Sequence, residues 1–328
     1  MSFLFFIIGM ILGSYLFGWL RVLFLYLIFH AKGYTCLRVA GLFIRWDKDY
    51  YDPVRPGKMK FTFSSRLNQL HPTIMMYKRP EKGEQRKNMV LLGIDISLTA
   101  LFMVLLLSFE FVPFDGLSRN VANLLGGLCA GGFTLFFTIS NLNYKASETP
   151  TGLRARTKEL MESLLFAEKV EDIAIQPFDQ VSYVNANLND KLSYLVIFYR
   201  VSEIRNDLSA MAECVKVMTE LKTLSLTDSG HFYLDAALFS HYSFRQKDPA
   251  LASQYFSHSR KNIEADKDAN GRRRLAYYCF YILGDREAAR RYAVEGLNTL
   301  SVDDPRVYKM MRVFEEQMLR YLLSQLDA

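Results

Sequence analysis

Apolar residues gather in three runs along the first half of the chain, and beyond them polar and apolar positions alternate at helical intervals. The runs extend from Phe3 to Phe29, from about Asn88 to Phe111 and from about Val121 to Ser140. Each reaches the roughly 20 residues that a helix rising 1.5 Å per residue needs to cross a bilayer core. The pattern predicts three transmembrane helices. A secretory signal is the rival reading of the first run, but no basic segment precedes it, the run is too long, and no small-residue cleavage site follows.

Between the first two runs the pattern changes. Tyr34–Trp46 and Met59–Phe63 carry the β-branched and aromatic content of short strands. Asp52-Pro53-Val54-Arg55-Pro56-Gly57 between them is a turn by composition, and Pro80-Glu81-Lys82-Gly83 is a polar lead-in to the second run. A small β hairpin or sheet lying against the membrane is expected within 31–87. From Leu153 onward the chain reads as helices with polar connections. Asp248-Pro249 opens one with an N-cap and a proline at the first helical position, and Gly284-Asp285 opens another. Ala252 and Ala289 each precede a tyrosine by three residues, with Ser259 and Gly296 seven residues on. Small residues so spaced let helices pack closely, as in tetratricopeptide-like hairpins; a third unit near Met211–Met218 is weaker, and an ordinary helical bundle is the alternative. The expected fold is thus a mainly α membrane protein: a membrane domain over 1–144, then a helical-repeat domain over 145–328.

Charge sets the orientation. Residues 31–87 hold 13 Lys and Arg against 5 Asp and Glu, and such an excess marks the cytoplasmic side of a membrane. The turn Val112-Pro113-Phe114-Asp115-Gly116 then faces outward, and so does the N-terminus. Everything after Asn141 returns to the cytoplasm. The whole chain is at +6, and its basic excess lies in the loop at the membrane. Anionic headgroups are the expected partner of that excess, and nucleic acid is not.

The remaining chemistry is sparse. Cys36, Cys129, Cys214 and Cys279 lie far apart without metal-ligand spacing, and a cytoplasmic location argues against disulfides. The glycines at 126, 127, 131 and 132 lie within an apolar run, so they form no phosphate loop. Gly127 and Gly131 instead make the small-xxx-small pattern that lets membrane helices meet backbone to backbone. Contact with the other two spans is the favoured use, and a dimer contact is the alternative. Two charges interrupt apolar runs, Arg21 and Asp95. Counted from the cytoplasmic ends of their helices, both lie about 11–12 Å deep. Equal depth and opposite sign predict an ion pair; snorkelling of Arg21 and protonation of Asp95 form the alternative.

The order of elements resembles the site-2 protease family of intramembrane zinc metalloproteases. The resemblance rests on Lys32-Gly33-Tyr34-Thr35 after the first helix, then Leu37-Arg38-Val39-Ala40-Gly41-Leu42-Phe43, where the family has a strand hairpin. Tyr77-Lys78-Arg79-Pro80 and the second span continue the plan, as does Pro150-Thr151-Gly152 before the last helices. The resemblance implies where zinc ligands would stand. With Gly33-Tyr34 as register, His-Glu-x-x-His falls on Arg21-Val22-Leu23-Phe24-Leu25, and the aspartate of Asn-Asp-Gly is missing at Thr151. Degenerate positions Arg21, Val22, Leu25 and Thr151 therefore supply neither imidazole pair, nor base, nor third ligand. The five histidines, His30, His71, His231, His241 and His258, offer no substitute spacing. No cofactor or metal is expected. The resemblance implies an inactive relative that binds or regulates a protein or peptide through its helical domain, by family analogy in a secreted-peptide processing or export system. A membrane enzyme with an unrecognised site, acting on peptide or lipid, is the alternative.

Overall fold

The computed structural model describes residues 2–51, 57–63, 72–78, 89–111, 119–147, 151–173, 177–223, 228–302, 304 and 307–328. Residues 52–56 of the expected turn, the lead-in at 80–83 and the turn at 112–116 lie outside them. The described residues are mainly helical, with one small sheet, and their contacts divide them into two compact units, Met1–Glu148 and Thr149–Ala328.

The first unit holds α1 (Ser2–Ala31), α2 (Met89–Phe111) and α3 (Arg119–Ser147). Two helical stretches, Phe3–Ala31 and Arg119–Ile139, are long and apolar enough to cross a bilayer; in α2, Gly93–Leu105 is a shorter apolar stretch among the described residues. The third helix continues past Ser140, where the apolar run ends, to Ser147. Asn141–Ser147 are too polar for a hydrocarbon core, but they contain neither Gly nor Pro, and nothing in them breaks a helix.

Four strands lie between α1 and α2: β1 (Thr35–Ala40), β2 (Ile44–Asp49), β3 (Lys58–Phe63) and β4 (Thr73–Tyr77). They form one antiparallel sheet in the order β3-β2-β1-β4. The segment Tyr34–Trp46 is therefore not a single strand. It folds at Gly41, whose N–H donates to the Ile44 carbonyl at 2.9 Å. The fourth strand was not expected. Ile74-Met75-Met76 shows no alternation of its own and becomes a strand by pairing with β1, which supplies its ladder of hydrogen bonds. The sheet rests on the second half of α1. A Cβ on Gly18 would lie 2.7 Å from the Pro72 ring, and one on Gly41 would lie 2.7 Å from the Trp19 ring.

The second unit is all helical in its regular elements: α4 (Gly152–Phe166), α5 (Gln180–Asn185), α6 (Leu188–Arg205), α7 (Leu208–Leu221), α8 (Asp228–Phe244), α9 (Pro249–Ala265), α10 (Ala269–Tyr278), α11 (Arg286–Leu300) and α12 (Lys309–Asp327). Helices α6/α7, α8/α9 and α10/α11 pack as successive pairs, and α6, α8, α10 and α12 each touch the next in that series. The three pairs turn alike. Helix α6 and the π-helical extension of α10 run directly into a residue with positive φ, Asn206 or Gly284, and α8 is followed by Arg245 and Gln246 and then by its own, Lys247. An aspartate follows at once: Asp207, Asp248 or Asp285. Its carboxylate accepts the N–H three residues on and caps the second helix. Four residues after each cap a side chain is fully enclosed: Met211, Ala252 and Ala289. One core gathers Leu164, Leu195, Phe198, Met218, Leu238 and Phe239, and a second gathers Tyr277, Ala289, Ala293, Leu319 and Leu322.

Candidate functional site

The contact of α1 with α3 frames the first site. Gly127 and Gly131 meet α1 at backbone distance: Cβ atoms there would lie 2.1 Å from the Phe6 and Met10 carbonyl oxygens. Gly9 and Gly13 answer from α1, where added Cβ atoms would lie 2.2 and 2.3 Å from the Leu124 and Leu128 carbonyl oxygens. Ser14 Oγ donates across the seam to the Gly131 carbonyl at 3.1 Å. The glycines thus pack within the chain through small-residue patterns on both helices. The partner pattern, Gly9-x-x-x-Gly13, is the same spacing in the sequence of α1. On the other side of α3, Phe102 of α2 packs on Gly132 and stacks on Phe136.

The helix face that holds positions 21, 22 and 25 turns inward. Val22 and Leu25 are buried. Arg21 extends its guanidinium to α2, where Nε donates to Asp95 Oδ1 at 2.7 Å and Nη2 to Oδ2 at 3.0 Å. Asp95 is wholly enclosed, and the Arg21 side chain is 12% exposed. This two-pronged geometry is the strongest form of the pair, because two aligned N–H donors satisfy both carboxylate oxygens. Enclosure makes the pairing obligatory: either charge alone would carry its desolvation cost uncompensated.

As a zinc site this arrangement does not fit. Its only carboxylate is taken up by Arg21, and Val22 and Leu25 offer no lone pair. Thr151 is the exposed N-cap residue of α4, in the second unit. Nor do the histidines serve: His30 stacks on Tyr26, His241 is buried against Tyr199, His231 is half-buried, His258 is exposed, and His71 lies outside the described residues. Among the described residues no group of three His, Cys, Asp or Glu side chains could hold a metal ion.

A second charged site, in the helical unit, was missed by the sequence reading. Arg273, Glu203 and Glu315 are almost completely buried and come from α10, α6 and α12. Arg273 Nε donates to Glu315 Oε2 at 2.6 Å, and its Nη1 donates to Glu203 Oε1 at 3.2 Å. Arg200 reaches the same two carboxylates at 2.7 and 3.0 Å, and also holds the Asn270 side chain. Burial by itself would raise the Glu203 carboxyl, but the guanidiniums of Arg273 and Arg200 outweigh it and hold the group at about 2. Conversely, burial opposes the charge on Arg273, and Glu203 and Glu315 restore it, leaving its pKa raised. Arg274 beside them is lowered by burial and by Arg200, and Asp266 stands 4.0 Å away. The network cross-links α6, α10 and α12. Its one signal in the sequence was the run Arg272-Arg273-Arg274 in a helix that otherwise supplies core.

Fold and sites together define a mainly helical chain with two helices of membrane-crossing length, a four-stranded antiparallel sheet and a separate helical unit. Compared with protein-family models, with curated proteins and with solved structures, the chain matches none.

Proposed function

We propose that this chain is a multi-pass membrane protein, a catalytically inactive relative of the site-2 proteases that acts as a binding or regulatory subunit. In this reading α1, α2 and α3 all span the bilayer, with the N-terminus outside and both the sheet and the helical unit on the cytoplasmic side. The carrying observation is the Arg21–Asp95 pair: in the register of Gly33-Tyr34, an arginine–carboxylate clamp stands where zinc chemistry would need an open ligand set. A charge pair of this kind holds two membrane helices together and leaves no group to activate water. The α4–α12 unit is read as tetratricopeptide-like, supported by the three alike turns and by the enclosed residue four places after each aspartate. Such stacked helix pairs present an extended surface, which here would take a protein or peptide partner.

Zinc content separates this reading from an active protease. Full-length protein purified in mild detergent without chelator should carry less than about one-tenth equivalent of zinc, where a working site of this class binds one ion per chain. One equivalent bound, lost when Asp95→Asn is introduced, would overturn the assignment.

A further inference from the structure

One of the two edge strands of the sheet, β3, exposes all six of its residues. Its side chains alternate, so Met59, Phe61 and Phe63 share one face while Lys58, Lys60 and Thr62 share the other. The apolar members are far from hidden: Phe61 is 53% and Phe63 is 70% exposed. Pairing with β2 carries the division inward toward one end of the strand, since Phe61 lies opposite Trp46 and Phe63 opposite Ile44, while Lys60 lies opposite Asp47; at the other end Met59 lies opposite Lys48. On the polar face Arg38 and Arg45 both hold Asp47. On the apolar face aromatic rings follow one another from the helix to the sheet edge. Trp19 of α1 stands edge-on to Trp46 at 6.2 Å, Trp46 meets Phe61 at 5.2 Å, and Phe43 stacks on Phe63 at 6.3 Å.

In water, an edge strand with a bare aromatic face invites aggregation. Here that face continues the apolar surface of α1, which exposes Leu16, Leu20, Leu23, Phe24 and Leu27. The 31–87 loop that contains it carries 13 basic against 5 acidic residues. Rings at the level where hydrocarbon meets headgroups, with lysines beside them, match what an anionic leaflet attracts.

We infer that the β3 edge is seated in the bilayer surface, with Met59, Phe61, Phe63 and Phe43 in the acyl boundary and Lys58 and Lys60 among anionic headgroups. The inference rests on the reading of α1 as a membrane span. The sheet then anchors the first helix to one leaflet and fixes its depth, so that Arg21 and Asp95 stay level.

Single-tryptophan variants of the full chain in nanodiscs test it. In a Trp19→Phe, Trp46→Phe background, Phe61→Trp, Phe63→Trp, Thr62→Trp and Phe24→Trp are compared in discs with and without brominated phosphatidylglycerol. Positions 61 and 63 should lose at least half of their emission to bromine, and position 62 less than about a tenth. Lys58→Glu with Lys60→Glu should at least halve the quenching at position 61 in phosphatidylglycerol discs and leave it unchanged in phosphatidylcholine. Quenching at position 24 but not at 61 or 63 would overturn the seating and leave the span reading intact. No quenching at position 24 would overturn the span reading and the seating with it. Equal quenching at 61 and 62 would refute the two-faced orientation. Because the background removes two packed rings, a benzophenone amino acid at position 61 of the otherwise unchanged chain serves as the second measurement. Crosslinks to phospholipid support the seating, and crosslinks to protein alone refute it.

Discussion

Arg21 and Asp95 are separated by 74 positions, yet their side chains meet in a two-pronged clamp. With α1 and α2 spanning the bilayer as proposed, each unpaired charge would cost roughly 2.5–3.5 kcal/mol to insert, and breaking a buried pair from one side costs about 3–5 kcal/mol. Arg21→Leu and Asp95→Leu should therefore each lower yield and thermal stability in detergent, while the double variant recovers most of the loss. Strictly additive losses in that cycle would show that the clamp contributes no coupling. His241 makes a residue-scale prediction of another kind. Burial holds its imidazole at about 4, below the ordinary 6.5, while the ring sits 3.3 Å from the Tyr199 hydroxyl. Between those two values the folded state binds fewer protons at this site than the unfolded chain. Its contribution therefore falls as pH drops from about 6.5 to about 4, by on the order of 3 kcal/mol in full. Asp266 works in the opposite sense, since burial and Asp268 raise it from 3.8 to about 6 and acid then favours the folded form. His241→Phe should accordingly narrow the stability gap between pH 7 and pH 4.5 in denaturant titrations of the full chain. An unchanged gap would show that the imidazole is not what acid attacks.

At the scale of elements, the helix pairs are specified by short local phrases. Asn206-Asp207, Lys247-Asp248 and Gly284-Asp285 each combine a positive-φ residue with a capping carboxylate, so the turn and the next helix begin together. Ala252 and Ala289 are completely enclosed, and the α6/α7 pair has the same positive-φ residue and capping aspartate, with Met211 at the corresponding place. Met211 fills the place that alanine takes in the other two pairs, so this pair carries no small-residue signal in the sequence. Ala289 lies within the core shared with Ala293, Leu319 and Leu322. Ala289→Leu should overpack that core and cost about 1–3 kcal/mol. Thermal unfolding of the full chain should show the loss in the helical unit, and an unshifted melting curve would remove the support that close helix approach gives to the repeat reading.

For the molecule as a whole, the proposed topology places the loop around Arg55 and the helical unit on one side of the membrane and Asp115 on the other. Residues 55 and 115 lie outside the described residues, and cysteine accessibility in intact cells decides the matter: Asp115→Cys should be labelled from outside and Arg55→Cys only after permeabilisation. Labelling of position 55 from outside would refute the orientation. What the amino-acid order determined by itself was whatever depends on neighbours along the chain. Helix-length apolar runs, capping aspartates, small-residue spacing and the basic loop all follow from local composition and the period of the helix. Tertiary structure alone decided which distant groups share a site. The strand β4 exists because β1 offers it a ladder, α3 runs on to Ser147 because no residue stops it, and Gly9 and Gly13 matter because α3 brings Gly127 and Gly131 against them. The network of Arg200, Glu203, Arg273 and Glu315 depends on three helices converging. A buried charge is tolerable only beside its partner, and that partner is chosen by packing in three dimensions, which no periodicity along one chain records.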